Sequence, residues 1–182
     1  MFERLLRAGV RALTRELQRQ LAAPRTVPPT PEHAPDRPRP RRGRGARDAG
    51  TGRVRLEYVP RADGRPDPGE VVWAWVPYEE HDGRGKDRPV LVVGRDGAEL
   101  VAFMMTSKDH VGPDRSAGDR GADGRVWVDV GTGAWDRQGR PSEVRLDRVL
   151  RVSPRDVRRE GAALDRARFE EVAERACQLH GW

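Results

Sequence analysis

The chain has almost nothing with which to close a disulfide or hold a metal. Its 182 residues include one cysteine, Cys177, and four histidines. A single thiol excludes an intramolecular disulfide and a cysteine-rich zinc site, and it suits a reducing cytoplasm. His33, His81, His110 and His180 have no metal-ligand spacing, so neither a metal nor another cofactor is expected. No apolar run approaches the roughly 18–20 residues needed to span a membrane. The N-terminus lacks the continuous apolar stretch and small-residue cleavage site of a signal peptide. Apolar residues make up 36% of the chain and charged residues 35%. The core therefore cannot draw on the full length, and one domain with extensions is expected. Lysine is the remaining scarcity: 33 arginines stand against two lysines, Lys86 and Lys108.

The charge is unevenly spread. Residues 1–50 carry 12 Lys/Arg and 5 Asp/Glu, and the remainder carries 23 and 24. The overall +6 thus belongs to the N-terminal part, and whatever the rest binds must be met by local charge. Phe2, Leu5, Leu6, Val10, Leu13, Leu17 and Leu21 recur at helical spacing, which predicts an amphipathic helix over 1–22. Arg4, Arg7, Arg11, Arg15 and Arg19 occupy its other faces. A basic amphipathic helix can lie on an anionic membrane surface, although docking on this protein or a partner is the plainer reading. Residues 23–51 read as a disordered Pro/Arg-rich linker, with prolines from Pro24 to Pro40 and the run Arg41-Arg42-Gly43-Arg44-Gly45. Such a segment is a solvated tether or a non-specific hold on nucleic acid.

A globular part is expected over 52–182. Val54, Leu56 and Tyr58 alternate, and strands are predicted at 70–76, 89–94, 98–105, 125–130, 143–146 and 148–152. Gly94-Arg95-Asp96-Gly97 reads as a hairpin turn. There is no βαβ alternation, so a mainly β fold, a small barrel or sandwich, follows. Ser153-Pro154 can start a short helix. Asp165 is the predicted N-cap of a last helix, with Leu164 and Phe169 at the hydrophobic-staple positions. Phe169, Val172, Ala173, Ala176 and Leu179 form its apolar stripe, suited to covering the barrel's open end. Trp73 and Trp75 share one strand face, as core, dimer interface or a stacking surface for bases.

Both lysines flank charged or hydroxylic residues at the ends of predicted strands. Lys86 precedes Arg88 by two positions and Lys108 follows Thr106 by two. Such residues at strand ends are well placed to meet a phosphate backbone. Taken in order, Gly69-Glu70-Val71-Val72-Trp73, then Arg88-Pro89-Val90-Leu91-Val92-Val93, then Thr106-Ser107-Lys108, then Ser142-Glu143-Val144-Arg145-Leu146-Asp147 with Arg148-Val149-Leu150-Arg151-Val152 resemble the PemK/MazF toxins of type II toxin–antitoxin pairs. The resemblance covers about residues 69–180. It implies an SH3-like small β-barrel with a C-terminal helix, forming homodimers. It also implies a metal-independent endoribonuclease, an mRNA interferase, that cuts single-stranded RNA. Binding of a cognate antitoxin is implied too, and binding of promoter DNA by the complex. The family's two chief catalytic positions map to Arg88 and Thr106. The 68 residues before Gly69 and the Gly/Asp-rich loop from Asp109 to Gly124 depart from the family's compact domain.

Cutting RNA without a metal requires a proton to leave the 2′-hydroxyl, charge to be stabilised on the phosphorane, and a proton to reach the leaving 5′-oxygen. Arg88 suits the second task, because a guanidinium offers planar contact to phosphate oxygens, but it is a poor base. Thr106 would hydrogen-bond the phosphate or the attacking oxygen. Lys86, Ser107, Lys108 and His110 are candidates for substrate contact, and imidazole chemistry suits His110 to proton transfer. Each has a plainer reading. Arg88 can pair with Asp87 or Glu70 and pin a loop, Thr106 can end a strand, and His110 can be a solvated loop residue. A non-catalytic SH3-like module that binds nucleic acid or protein is the alternative to the nuclease.

Overall fold

A computed structural model describes residues 45–48, 54–80, 82–110 and 124–182 of the protein. The helix predicted over 1–22 lies outside the described residues, as does all of the expected linker except 45–48. One antiparallel sheet contains β1 (Ala46–Asp48), β2 (Arg55–Leu56), β3 (Glu70–Pro77), β4 (Gly85–Asp96), β5 (Glu99–Thr106), β6 (Trp127–Gly131), β7 (Ser142–Val152) and β8 (Arg159–Ala163). A 3-10 turn, Pro154–Asp156, follows β7, and the helix α1 (Arg166–His180) ends the fold. The strand order is β1-β7-β5-β4-β3-β8, with β2 on β4 and β6 on β7. The mainly β fold with a C-terminal helix is thus observed.

β1 brings the far ends of the sheet together. It pairs with β7, while a Cβ at Gly45 would lie 3.0 Å from the Trp75 carbonyl oxygen of β3. Arg148 of β7 donates to Asp48 at 2.5 Å and to the Pro77 carbonyl at 2.9 Å. The sheet therefore curls into a barrel, helped by register shifts in the β3–β8, β4–β5, β5–β7 and β6–β7 ladders.

Both faces are buried, because side chains alternate across a strand and both sets are apolar. Val71, Leu91, Val93, Val101, Phe103 and Met105 join Phe169, Val172 and Ala176 of α1 in one core. Val72, Ala74, Val90, Val92, Leu100 and Ala102 form the other. Trp75 is buried and Trp73 half-buried.

The caps of α1 match their chemistry. The Asp165 carboxylate accepts from the N–H groups of Ala167 and Arg168 at 3.0 and 3.2 Å, and Gly181 closes the helix in the left-handed conformation. Leu164 and Phe169 are buried in the same core, as a staple requires. Ser153 caps the 3-10 turn through Arg155 N at 3.3 Å.

Four elements differ from expectation. β1 is a strand inside the stretch 23–51 expected to be a disordered linker, because Ala46–Asp48 pairs with β7. The hairpin turn is Gly97-Ala98, and β4 runs on through Gly94 to Asp96. Gly94 serves close approach instead, since a Cβ there would meet the Arg55 carbonyl oxygen of β2 at 2.4 Å. The two strands expected at 143–146 and 148–152 are one, β7. The apparent pause is a bulge: Phe103 pairs with Val149 but Met105 with Val144. β8 has no alternating pattern and is a strand through its pairing with β3.

Candidate functional site

Arg88 and Thr106 stand on the neighbouring strands β4 and β5. β4 and β5 pair up to Val90↔Met104, and each candidate stands two residues past that pair, on the same face as Val90 or Met104. The ladder stops there, so the strands part where these two residues sit. Lys86 lies one alternation earlier on β4, opposite Val76 of β3. The two carboxylates suggested as partners of Arg88 accept from other groups. Glu70 accepts from Arg61 N and Asp67 N at 2.9 and 3.0 Å, and Asp87 accepts from Arg158 at 2.7 Å.

Thr106 is the last residue of β5 and is 9% exposed. Its Oγ1 accepts from Lys108 N at 3.2 Å. A hydroxyl oxygen that accepts one bond still carries its own proton, so the side chain can also donate. After Thr106 the chain turns past exposed Ser107 and Lys108. Ser107, Lys108, Asp109, Asp129, Pro141 and Glu143 line a cleft of about 290 Å³.

Glu143 lies between strands at this cleft, opposite Thr106 on β5 and Asp129 on β6. It is 6% exposed. Both its carboxylate oxygens accept from His110 N, at 3.0 and 3.1 Å, and Oε2 is 3.1 Å from His110 Nδ1. His110 is thereby fixed to the barrel, not a solvated loop residue. Its ring stacks on Trp127, and Nδ1 is also 2.8 Å from the Lys108 carbonyl.

Behind Trp127 stands a second charged group. Arg145, opposite Trp127 in the β6–β7 ladder, is buried with its guanidinium 6.0 Å from the indole. It donates to Asp147 at 2.6–3.1 Å and to Glu79 of the β3–β4 loop, which also accepts from Arg125 at 3.3 Å. Burial alone would push the Asp147 carboxyl up, but hydrogen bonds from Arg145 and from Val126 N outweigh it and hold it below the usual carboxylate range. Glu79 has the same balance: partial burial raises it, and Arg145 with Arg125 brings it lower.

Lys86, Arg88, Thr106, Ser107, Lys108 and His110 thus fall on β4 or in the stretch from the end of β5. Glu143, Asp129, Trp127 and the Arg145 group were not read as site residues. Alternation in Ser142-Glu143-Val144-Arg145-Leu146-Asp147 sets Glu143 on one face with Arg145 and Asp147, the pattern of a solvated strand face.

Residues 67–180 match the family model of PemK-like, MazF-like toxins of type II toxin–antitoxin systems. Among solved structures, the chain is similar to a crystal structure of MazF (Form-I) from Deinococcus radiodurans. The identity is 20% and the TM-score 0.45, over 66% of this chain and all of that one. No curated protein matches. Among the described residues, no helix is long and apolar enough to cross a membrane.

Proposed function

Because the chain belongs to the PemK-like, MazF-like family of type II toxin–antitoxin toxins, we propose that it is a metal-independent endoribonuclease cleaving single-stranded RNA, an mRNA interferase. The observation that supports this reading is that Arg88 and Thr106 stand on neighbouring strands, each two residues past Val90↔Met104. An arginine and a hydroxyl on parting strands make a donor pair for one phosphate group. Arg88 stabilises the charge that builds on the phosphorane. Thr106, its oxygen already accepting from Lys108 N, donates its hydroxyl proton to a phosphate oxygen. Lys86, Ser107 and Lys108 meet neighbouring phosphates along the backbone. The nuclease acts in the cytoplasm as a homodimer, is neutralised by a cognate antitoxin, and binds promoter DNA with it.

The protein incubated with long single-stranded RNA in EDTA, beside Arg88→Ala, tests this reading. Discrete cuts by the wild type alone, leaving 5′-hydroxyl ends, support it. A second reading, an SH3-like module that binds without cleaving, draws on Asp109, Asp129 and Glu143 in the cleft. Three carboxylates repel phosphate and suit a basic segment of a protein partner. RNA left intact by folded wild type favours that reading.

A further inference from the structure

The surroundings of His110 define which ring nitrogen carries its proton. Nδ1 lies 2.8 Å from the Lys108 carbonyl oxygen and 3.1 Å from Glu143 Oε2. A carbonyl oxygen has no proton to give, and an ionised carboxylate has none either. Nδ1 is therefore the donor, and the lone pair of the neutral ring is on Nε2. Three further restraints fix the ring: its own backbone N–H on Glu143, its stack on Trp127, and the short link to Lys108. The side chain keeps 28% of its surface exposed, so it is held without being sealed.

The Lys108 peptide ties this imidazole to Thr106. Its N–H donates to Thr106 Oγ1 at 3.2 Å, and its C=O accepts from His110 Nδ1. Two peptide planes joined at the Lys108 Cα thus lie between the hydroxyl assigned to the phosphate and the imidazole. The guanidinium of Arg88 cannot serve as a base, so the nuclease reading lacks a group to take the 2′-hydroxyl proton, and an imidazole linked to Thr106 through Lys108 has the chemistry to do so.

We propose that His110 is the general base of RNA cleavage and Glu143 its positioning residue; this rests on the nuclease reading above. Nε2 takes the proton of the ribose 2′-hydroxyl as that oxygen forms a bond to phosphorus. The bond from phosphorus to the 5′-oxygen breaks, and the 5′-oxygen takes a proton from water. The products are a 2′,3′-cyclic phosphate and a 5′-hydroxyl end. The imidazolium so formed donates from Nδ1 to the Glu143 carboxylate, which holds the tautomer and offsets the new charge. The other charged groups around the ring are Lys108, Asp109 and Asp129 at the cleft and Arg145 over Trp127.

The test compares full-length wild type, His110→Gln, His110→Phe, Glu143→Gln and Glu143→Asp on long single-stranded RNA in EDTA, from about pH 5 to about pH 8.5. His110→Phe retains an aromatic ring for Trp127 but cannot take a proton, so it answers if His110→Gln fails to fold. Both His110 variants should slow cleavage by about 10²- to 10⁴-fold and lose the rise of rate with pH on the acid side. Glu143→Gln should slow it less and alter the same limb, with Glu143→Asp recovering part of the loss. An active wild type whose folded His110 variants cleave within about twofold of it, with an unchanged pH profile, overturns the proposal alone. A folded wild type that cuts no RNA overturns the nuclease reading and the proposal with it.

Discussion

His110 lies flat on Trp127, with ring centroids 4.2 Å apart and planes 11° from parallel. Trp127 is 5% exposed, so the stack joins the cleft to the core. Trp127→Ala removes both a buried aromatic and the surface beneath the imidazole. It should cost about 3–5 kcal/mol of stability, read by urea denaturation, and should broaden or shift the His110 ring resonances in solution NMR. Trp127→Phe should cost less and leave the His110 resonances near their wild-type positions.

Arg88 belongs to neither buried core. Arg88→Ala should therefore reduce RNA cleavage by about 10²- to 10³-fold, the usual loss for removing a group that stabilises transition-state charge. Thermal melting followed by circular dichroism should stay within a few degrees of wild type. A melting point that collapses together with activity would make Arg88 a structural residue.

The Arg145 group should govern acid stability. Asp147 and Glu79 are both lowered in the folded protein. A lowered carboxyl stabilises the fold above its unfolded value, about 4, and that contribution disappears as pH falls through the folded value. The urea midpoint should thus decline on acidification below about pH 4, and Asp147→Asn should flatten that decline. Arg145→Ala leaves half-buried Asp147 without its guanidinium and should lower stability at neutral pH by less than the roughly 3–5 kcal/mol of a fully buried pair.

Gly94 and Gly97 should respond differently to alanine. At Gly94 the added Cβ would meet a backbone oxygen of β2 at 2.4 Å. Strand separation should cost about 1–3 kcal/mol and speed hydrogen exchange at the Glu57 amide, which donates to Val93 at 3.0 Å. At Gly97 there is open space, but φ is +60°, so the cost should be about 1–2 kcal/mol with exchange at Glu57 unaltered beyond the global loss.

Much of the sheet was legible because its signals are local. β3, β4 and β5 announce themselves as long apolar runs, and α1 by an aspartate cap and a staple. β1 and β8 were not legible, since what makes them strands lies elsewhere in the chain. Ala46-Arg47-Asp48 is held by β7, by Arg148 on Asp48 and by Arg47 on Glu99. Arg159–Ala163 takes its form from the edge of β3. The site divides the same way. Arg88 and Thr106 are candidates through ordered motifs. Glu143 was missed because a strand carboxylate reads as facing water, and its partner His110 is 33 positions away.

Glu79 stitches the β3–β4 loop to Arg145 on β7, and β4 carries Lys86 and Arg88 onward from that loop. The hairpin is thus a lever with its tip fastened and its arm at the candidate site. Glu79 thereby serves two ends at once: it shares Arg145, beside Trp127, with Asp147, and it ties the approach to β4 to the strand that carries Glu143.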